Sequence, residues 1–175
     1  MNHAVVEALA QRVAALEAES ACRRVLARYF QICDRLGPDT PFDELGELFT
    51  RDATWQGKGR YEDAFGGYAG RGAIVAMIAS YCGTPPHFAM TGHFFSAEAI
   101  DVTDETATGR WMMLQCSTYA DGTSDLRSAA LTVGFAIEDE RWRIARFESE
   151  NIFSRRVDRW SDEATIPVPA LPAGE

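Results

Sequence analysis

The spacing of apolar residues changes at Pro85-Pro86, and this change limits the folds that the chain can adopt. Before these prolines, apolar residues recur at steps of three and four, as in helices, whereas the second half contains β-like runs. The runs lie at about 88–101, 106–119, 127–138 and 142–153. Because only short turns separate them, they predict an antiparallel meander. Helices followed by strands predict an α+β fold, in which a curved antiparallel sheet packs against the N-terminal helices around a pocket.

The first half predicts three helices, a brief strand and one flexible span. The predicted elements are a long helix over about 4–36, a short helix over 42–49, a brief strand at 53–56 and a third helix over 73–81. Gly37-Pro38 is expected to end the long helix. The glycine-rich span 57–72 carries aromatic side chains, which either form a lid over the pocket or pin the loop to the body.

Length and composition indicate one globular domain. The chain has 175 residues, of which 46% are hydrophobic and 25% charged, and this profile is typical of a soluble protein with a single core. We assign residues 1–160 to this domain. Residues 161–175 contain three prolines and no periodicity, and they predict an extended tail that is either disordered or closes the pocket.

Charge and cysteine usage exclude several classes of protein. The net charge is -9 and Lys58 is the only lysine, so no basic stripe is present to neutralise the phosphates of a nucleic acid. No leader precedes the body and no apolar run approaches the ~18 residues that a membrane span requires. The four cysteines have no CxxC spacing, which fits a reducing compartment. The sequence therefore predicts a cytoplasmic protein that binds neither nucleic acid nor membrane.

Asp34 is the residue in the long helix that most needs an explanation. The stretch 27–36 otherwise predicts core, and an ionised carboxylate there is costly unless a neighbour supplies charge or hydrogen bonds. The candidate partners are His87 and His93, which face the same side if the strand at 88–101 is regular. A bulge at Gly92 would break that alternation. The pattern leaves open which histidine meets Asp34.

A histidine and an aspartate inside an apolar pocket form a plausible acid–base pair. The carboxylate orients the imidazole, and the imidazole titrates near neutrality. Tyr29, about one helical turn before Asp34, could polarise a substrate oxygen. The structural alternative is that the histidine and the aspartate only satisfy each other. A metal site would have to recruit distant carboxylates, because His87 and His93 are six residues apart with no cysteine nearby, so we expect no metal.

Further residues are candidates for binding a substrate. Gln115 and Arg127 are polar residues of the predicted sheet that could reach a ligand, and Asn151 could bind a hydroxyl or carbonyl group. The full set of predicted binding residues is Trp55, Phe65, Met90, Met112, Gln115, Arg127, Phe147 and Asn151. The chain contains no G-x-S-x-G, no G-x-x-x-x-G-K-[ST], no G-x-G-x-x-G after a strand and no H-E-x-x-H. Serine hydrolases, P-loop proteins and Rossmann enzymes are thereby excluded.

Five segments, in this order and spacing, resemble the SnoaL-like branch of the nuclear transport factor 2 (NTF2) superfamily. They are Leu16-Glu17, Arg28-Tyr29-Phe30 with Asp34, Leu48-Phe49-Thr50-Arg51-Asp52-Ala53-Thr54-Trp55, Gly70-Arg71-Gly72-Ala73-Ile74 and Trp142-Arg143-Ile144-Ala145. The resemblance covers about residues 4 to 160. It implies a cone-shaped, NTF2-like (cystatin-like) α+β fold with a deep apolar pocket.

Within that branch the chain is most similar to bile acid 7α-dehydratases and, more distantly, to scytalone dehydratases. These families remove water from ring substrates with Tyr, Asp and His and without a cofactor, which implies catalytic roles for Tyr29, Asp34 and His93 or His87 here. The chain also departs from the dehydratase pattern. Met90 stands where the pattern has its pocket histidine, Gln115 where it has a second aspartate, and Asn151 where it has an arginine.

Taken together, the residues and the resemblance predict a cofactor-independent lyase. The expected reaction is a dehydration, or a related elimination of water or formaldehyde, on a bulky apolar ring or aryl molecule. An isomerase or polyketide cyclase with the same groups is one alternative, and a non-catalytic ligand-binding module is another. The apolar seam Val6, Leu9, Val13 and Leu16, together with the resemblance, predicts a homo-oligomer, either a dimer or a trimer.

Overall fold

A computed structural model describes residues 3–158 and residue 160. The helices are α1 (His3–Cys33), α2 (Phe42–Glu47), α3 (Arg60–Phe65) and α4 (Arg71–Ala79), the last followed by a 3₁₀ turn (Ser80–Cys82). The strands are β1 (Phe49–Lys58), β2 (Gly67–Ala69), β3 (Phe88–Thr103), β4 (Thr106–Tyr119), β5 (Ser124–Glu138) and β6 (Arg141–Val157). The predicted α+β class is confirmed.

The six strands form one curved, unclosed sheet in the order β2-β1-β6-β5-β4-β3. The last four strands are the predicted antiparallel meander; β4 has the predicted bounds, and β3, β5 and β6 are longer than their sequence runs. The first strand joins the sheet beside β6 and runs parallel to it, a pairing that the sequence pattern does not reveal. The register of β3 against β4 shifts between Phe88 and Met90 and again between Ser96 and Ala99, so the bulges lie on either side of Gly92 and not at it.

The core lies between the second half of α1 and the inner face of the sheet. Leu26, Tyr29 and Phe30 of α1 are buried, and across from them the sheet buries Leu131, Val133, Phe135 and Phe147. Side chains of this size contribute roughly 1.5–3 kcal/mol each when fully buried. The first half of α1 does not share this core, since the large apolar residues of its seam are 40–61% exposed. The long helix is therefore anchored at its C-terminal end only.

Several predicted boundaries are wrong, among them the ends of the first two helices. The long helix ends at Cys33 and not near residue 36, because the backbone N–H groups of Asp34 and Arg35 close a turn on Phe30 and Ile32. The second helix ends at Glu47, since Phe49 already begins the first strand.

The span 57–72 is not a loop but contains α3 and the edge strand β2. Tyr61 of this span is buried and Phe65 packs edge-to-face on Trp55 with ring centroids 5.9 Å apart, so these aromatic residues hold the span against the body.

The C-terminal tail predicted over 161–175 lies outside the described residues. Just before it, the Trp160 indole N–H donates to the backbone oxygen of Ser117 at 3.2 Å. Within the described chain, none of the helices is both long enough and apolar enough to cross a membrane.

Candidate active site

A cavity of about 460 Å³ lies between α1, the α3–α4 region and the inner face of the sheet. Most of its wall is aromatic or aliphatic. The apolar part includes Tyr29, Phe30, Trp55, Phe65, Met113, Leu131 and Phe147, and the polar part includes His87, Thr91, His93, Gln115, Tyr119, Arg127 and Ser149. An apolar chamber with a few convergent polar groups is the usual form of a small-molecule site.

His93 is the histidine that meets Asp34. Its Nδ1 lies 2.5 Å from Asp34 Oδ1, and its backbone N–H donates to Asp34 Oδ2 at 3.3 Å. The side chain of Asp34 is 27% exposed and that of His93 is 10% exposed, so the carboxylate touches solvent behind a nearly enclosed imidazole. The Phe30 ring packs on the imidazole with centroids 4.7 Å apart. Asp34 follows the last turn of α1 and His93 lies on β3, so the contact joins the two layers of the fold.

The contact with Asp34 determines which nitrogen of His93 carries the proton. An ionised carboxylate can only accept hydrogen bonds, so the Nδ1 of a neutral His93 must donate and its Nε2 must keep a free lone pair. Among the residues that the structure describes, no hydrogen bond to Nε2 is present. His93 lines the cavity, and a neutral imidazole with a free Nε2 lone pair has the chemistry of a base.

Tyr29 is a neutral hydrogen-bonding group at the same wall. Its hydroxyl accepts a hydrogen bond from Trp55 Nε1 at 3.2 Å. Burial raises the pKa of Tyr29 well above its usual value, and the neighbouring Cys33 adds to the effect. The phenol therefore stays protonated at neutral pH and can donate to an oxygen in the cavity.

The aromatic wall beside Tyr29 is ordered by stacking. Trp55 and Phe147 lie nearly parallel, at 7° and with centroids 5.6 Å apart, and Phe147 also contacts Tyr29 at 5.3 Å. Trp55, Phe65 and Phe147 all line the cavity, as the sequence predicted. Flat ring surfaces of this kind suit a planar or ring-shaped ligand.

His87 lines the cavity but does not reach Asp34. It precedes β3, and its ring packs edge-to-face on Phe88, Tyr81 and Tyr119 at 4.5, 5.1 and 5.3 Å. Its contacts are therefore aromatic. Gln115 and Arg127 also face the cavity, as predicted.

Three of the predicted binding residues lie outside the cavity. Met90 and Met112 are 40% and 39% exposed, because strand alternation turns Thr91 and Met113 inward in their place. The pairing of β5 with β6 slips between Ser128 and Ala129, next to Asn151. The Asn151 amide donates to the Phe153 backbone oxygen and to Ser154 Oγ at 3.1 and 3.0 Å, and to the Ser128 backbone oxygen of β5 at 3.5 Å, so its hydrogen bonds are made to the sheet itself.

Tyr119 lines the cavity but is not among the predicted binding residues, although the sequence contains a signal for it. Met113, Gln115 and Tyr119 are at even spacing on β4 and share its inner face. Tyr119 stands at the end of that alternation. Across the part of the chain that the structure describes, no three His, Cys, Asp or Glu side chains are grouped so as to hold a metal ion.

Comparison with known proteins gives a family match and several solved structures of similar fold. Residues 14–148 match the family of SnoaL-like domains. No significant match was found among curated proteins.

Similar solved structures include a candidate scytalone dehydratase from Novosphingobium aromaticivorans, at 20% identity and a TM-score of 0.67, which covers 85% of this chain and 96% of that one. A hexachlorocyclohexane dehydrochlorinase (LinA-type3) from Novosphingobium barchaimii is 15% identical with a TM-score of 0.69, covering 83% and 94%. An NTF2-like protein with a cystatin-like fold from Novosphingobium aromaticivorans is 25% identical with a TM-score of 0.63, covering 82% and 88%.

Proposed function

The chain belongs to the family of SnoaL-like domains, and on that basis we propose that it is a cofactor-independent lyase acting on a bulky ring or aryl small molecule. The observation that carries the proposal is the 2.5 Å contact between Asp34 and Nδ1 of a His93 that lines an apolar cavity. The candidate scytalone dehydratase and the dehydrochlorinase, two proteins of similar fold, are both named for eliminations. That agreement supports the choice of a lyase over other acid–base chemistries.

In the proposed reaction His93 moves the proton. Its Nε2 removes a proton from a substrate carbon, the C–H electron pair becomes the new double bond, and the leaving group departs from the adjacent carbon. The imidazolium then returns the proton to the leaving group, so that water or a hydrogen halide is released and His93 is again neutral. For release of formaldehyde the same base removes the O–H proton of a hydroxymethyl group, whose oxygen forms the C=O bond while the carbon–carbon bond breaks. The electron pair of that bond goes to the carbon left on the substrate, and the imidazolium returns the proton to this carbon.

Asp34 and Tyr29 support that step without forming covalent bonds. Asp34 holds the ring in the reactive tautomer and stabilises the transient positive charge of the imidazolium. The Tyr29 hydroxyl donates a hydrogen bond to a substrate oxygen on which negative charge develops. The apolar wall excludes water and thereby strengthens both interactions. Acid–base placement of this kind typically contributes about 10²–10⁴-fold to the rate.

The test is product analysis on ring and aryl compounds that carry a hydroxyl, halide or hydroxymethyl group next to an acidic C–H. Mass spectrometry is expected to show loss of water, hydrogen halide or formaldehyde, and His93→Gln is expected to abolish the loss. The matched control is His3→Gln, at the exposed start of α1.

A product of unchanged mass would identify an isomerase or cyclase instead of a lyase. Binding of ring compounds without any turnover would identify a non-catalytic module, in which the pair of His93 and Asp34 is structural.

A further inference from the structure

Arg127 forms a hydrogen-bonded cluster at one end of the cavity. Its Nε donates to Asp125 Oδ2 at 2.6 Å and its Nη2 donates to the Tyr119 hydroxyl at 2.5 Å. The Tyr119 hydroxyl in turn donates to the same Asp125 oxygen at 2.8 Å. The Arg127 side chain is 26% exposed and that of Asp125 is 10% exposed. The guanidinium is thus held in one orientation by the inner face of two strands.

The contacts of Arg127 leave one edge of the guanidinium open. Of its five N–H donors, one on Nε and one on Nη2 are used by Asp125 and Tyr119. Within residues 3–158, the two donors of Nη1 and the second donor of Nη2 make no hydrogen bond. The Nη1–Nη2 edge is the planar fork that binds a carboxylate through two parallel hydrogen bonds. An oriented and unoccupied fork at a cavity wall is a site for such a group.

The fork of Arg127 has few charged groups around it. Burial raises the pKa of Tyr119 to about 12, and its hydrogen bond to Asp125 adds to the effect, so the phenol is neutral at physiological pH. Asp125 is therefore the only anion of the cluster. Among the described residues that line the cavity, Arg127 is the only arginine or lysine. A negative group on a ligand has this one strong partner, and the rest of the wall favours an apolar body.

The fork and the proposed base belong to residues in one row across the sheet. His93 pairs with Gln115 across β3 and β4, and Gln115 pairs with Arg127 across β4 and β5, so the three side chains form one row on the inner face. Two strand spacings separate the Cα atoms of His93 and Arg127 by roughly 10 Å. Gln115, whose side chain is uncharged, lies between them, and its amide donates to Ser117 Oγ at 3.0 Å. That span fits one ring with a short acidic side chain.

From this row we propose that the substrate carries a carboxylate, which the Nη1–Nη2 fork of Arg127 binds while the reacting carbon lies at His93. The substrate class is then a ring or aryl carboxylic acid and not a neutral ring compound. The inference rests on the proposed function for what happens at His93. The binding of the acid at Arg127 can be measured without turnover.

The experiment compares 3-phenylpropanoate with its neutral amide by isothermal titration calorimetry. Wild-type protein is expected to bind the acid about 10- to 100-fold more tightly than the amide, the range for hydrogen bonds to a charged partner. Arg127→Gln is expected to remove that preference and leave the affinity for the amide unchanged. The matched control is Arg110→Gln on β4, a 59% exposed arginine paired with Asp101, which should keep the preference.

Two further variants guard against misfolding. Arg127→Gln leaves Asp125 without its cation, so the double variant Arg127→Gln/Asp125→Asn keeps the cluster neutral and should also lose the preference. Arg127→Lys keeps the positive charge but not the planar fork, so it should keep only part of the preference for the acid.

Several results would overturn the inference. Equal binding of acid and amide to the wild-type protein would do so, as would failure of the acid to bind at millimolar concentration. A full preference for the acid in Arg127→Gln and in Arg127→Gln/Asp125→Asn would also overturn it. His93→Gln separates the two proposals, because it should abolish turnover and leave the preference for the acid intact. Turnover of neutral ring compounds without turnover of the acids would contradict the carboxylate proposal but not the lyase proposal.

Discussion

Replacing Asp34 by asparagine should stop proton transfer at His93 by reversing the tautomer of its ring. The two carboxylate oxygens have different partners: one faces Nδ1 of His93 and the other accepts from its backbone N–H. A backbone N–H can only donate, so the amide oxygen of the asparagine must take that second place. Its NH₂ group then faces Nδ1, which has to accept, and the ring proton moves to Nε2. The free lone pair on Nε2 is lost.

The expected magnitudes differ for catalysis and for stability. Turnover should fall by about 10²–10⁴-fold, the usual contribution of a placed acid–base group. Both hydrogen bonds survive in the flipped arrangement and lose only the assistance of the carboxylate charge, so the free energy of unfolding should fall by about 1 kcal/mol. The 27% exposure of the Asp34 side chain reduces this cost further. For a domain of this size that corresponds to a Tm lower by about 2–4 °C.

The assay is NMR of ¹⁵N-labelled histidine at a pH high enough to keep the imidazoles neutral. The wild-type His93 should show a protonated Nδ1, and Asp34→Asn should show a protonated Nε2. The control variant is Asp101→Asn on β3, whose side chain is 74% exposed, and it should leave the His93 signals unchanged. A His93 that keeps its proton on Nδ1 in Asp34→Asn, or a variant with full turnover, would refute the reasoning.

Three other predictions concern the body of the protein. Burial raises the pKa of Cys22 to about 11 and that of Cys33 to about 12, so both thiols should react more slowly with a disulfide reagent in the folded than in the unfolded chain. The thiols lose their protons at a lower pH in the unfolded chain than in the folded chain. The free energy of unfolding in urea should therefore be intact below about pH 9 and fall as the pH rises toward 12, and a flat profile would contradict this. Phe135→Ala, at a fully buried position against Trp111, should cost about 3–5 kcal/mol in urea unfolding, whereas Phe94→Ala on the exposed outer face should cost far less. We also propose that the exposed seam of α1 joins subunits, so Leu9→Glu with Val13→Glu should lower the mass found by sedimentation at several concentrations, and a wild-type monomer at all of them would exclude this role.

Local pattern was enough to predict the element types and much of the pocket. The three- and four-residue steps before Pro85 and the alternation after it predicted the long helix, the meander and the α+β class. The same patterns brought Tyr29, Trp55 and Phe147 to one cavity. These predictions succeeded because a helix or a strand with one buried face repeats its apolar residues at a period set by its own backbone.

Pairings between distant segments could be known only from the folded chain. The choice of His93 over His87, the turn of Met113 inward in place of Met112, and the parallel run of β1 beside β6 all depend on strand register. A shift of one residue moves every side chain of a strand to the opposite face, and the bulge after Phe88 is such a shift. The short elements within 57–72 likewise form because β1 and the core supply partners for Gly67–Ala69 and Tyr61. Register and partner choice are settled by packing across the whole domain, and no local window of residues contains that information.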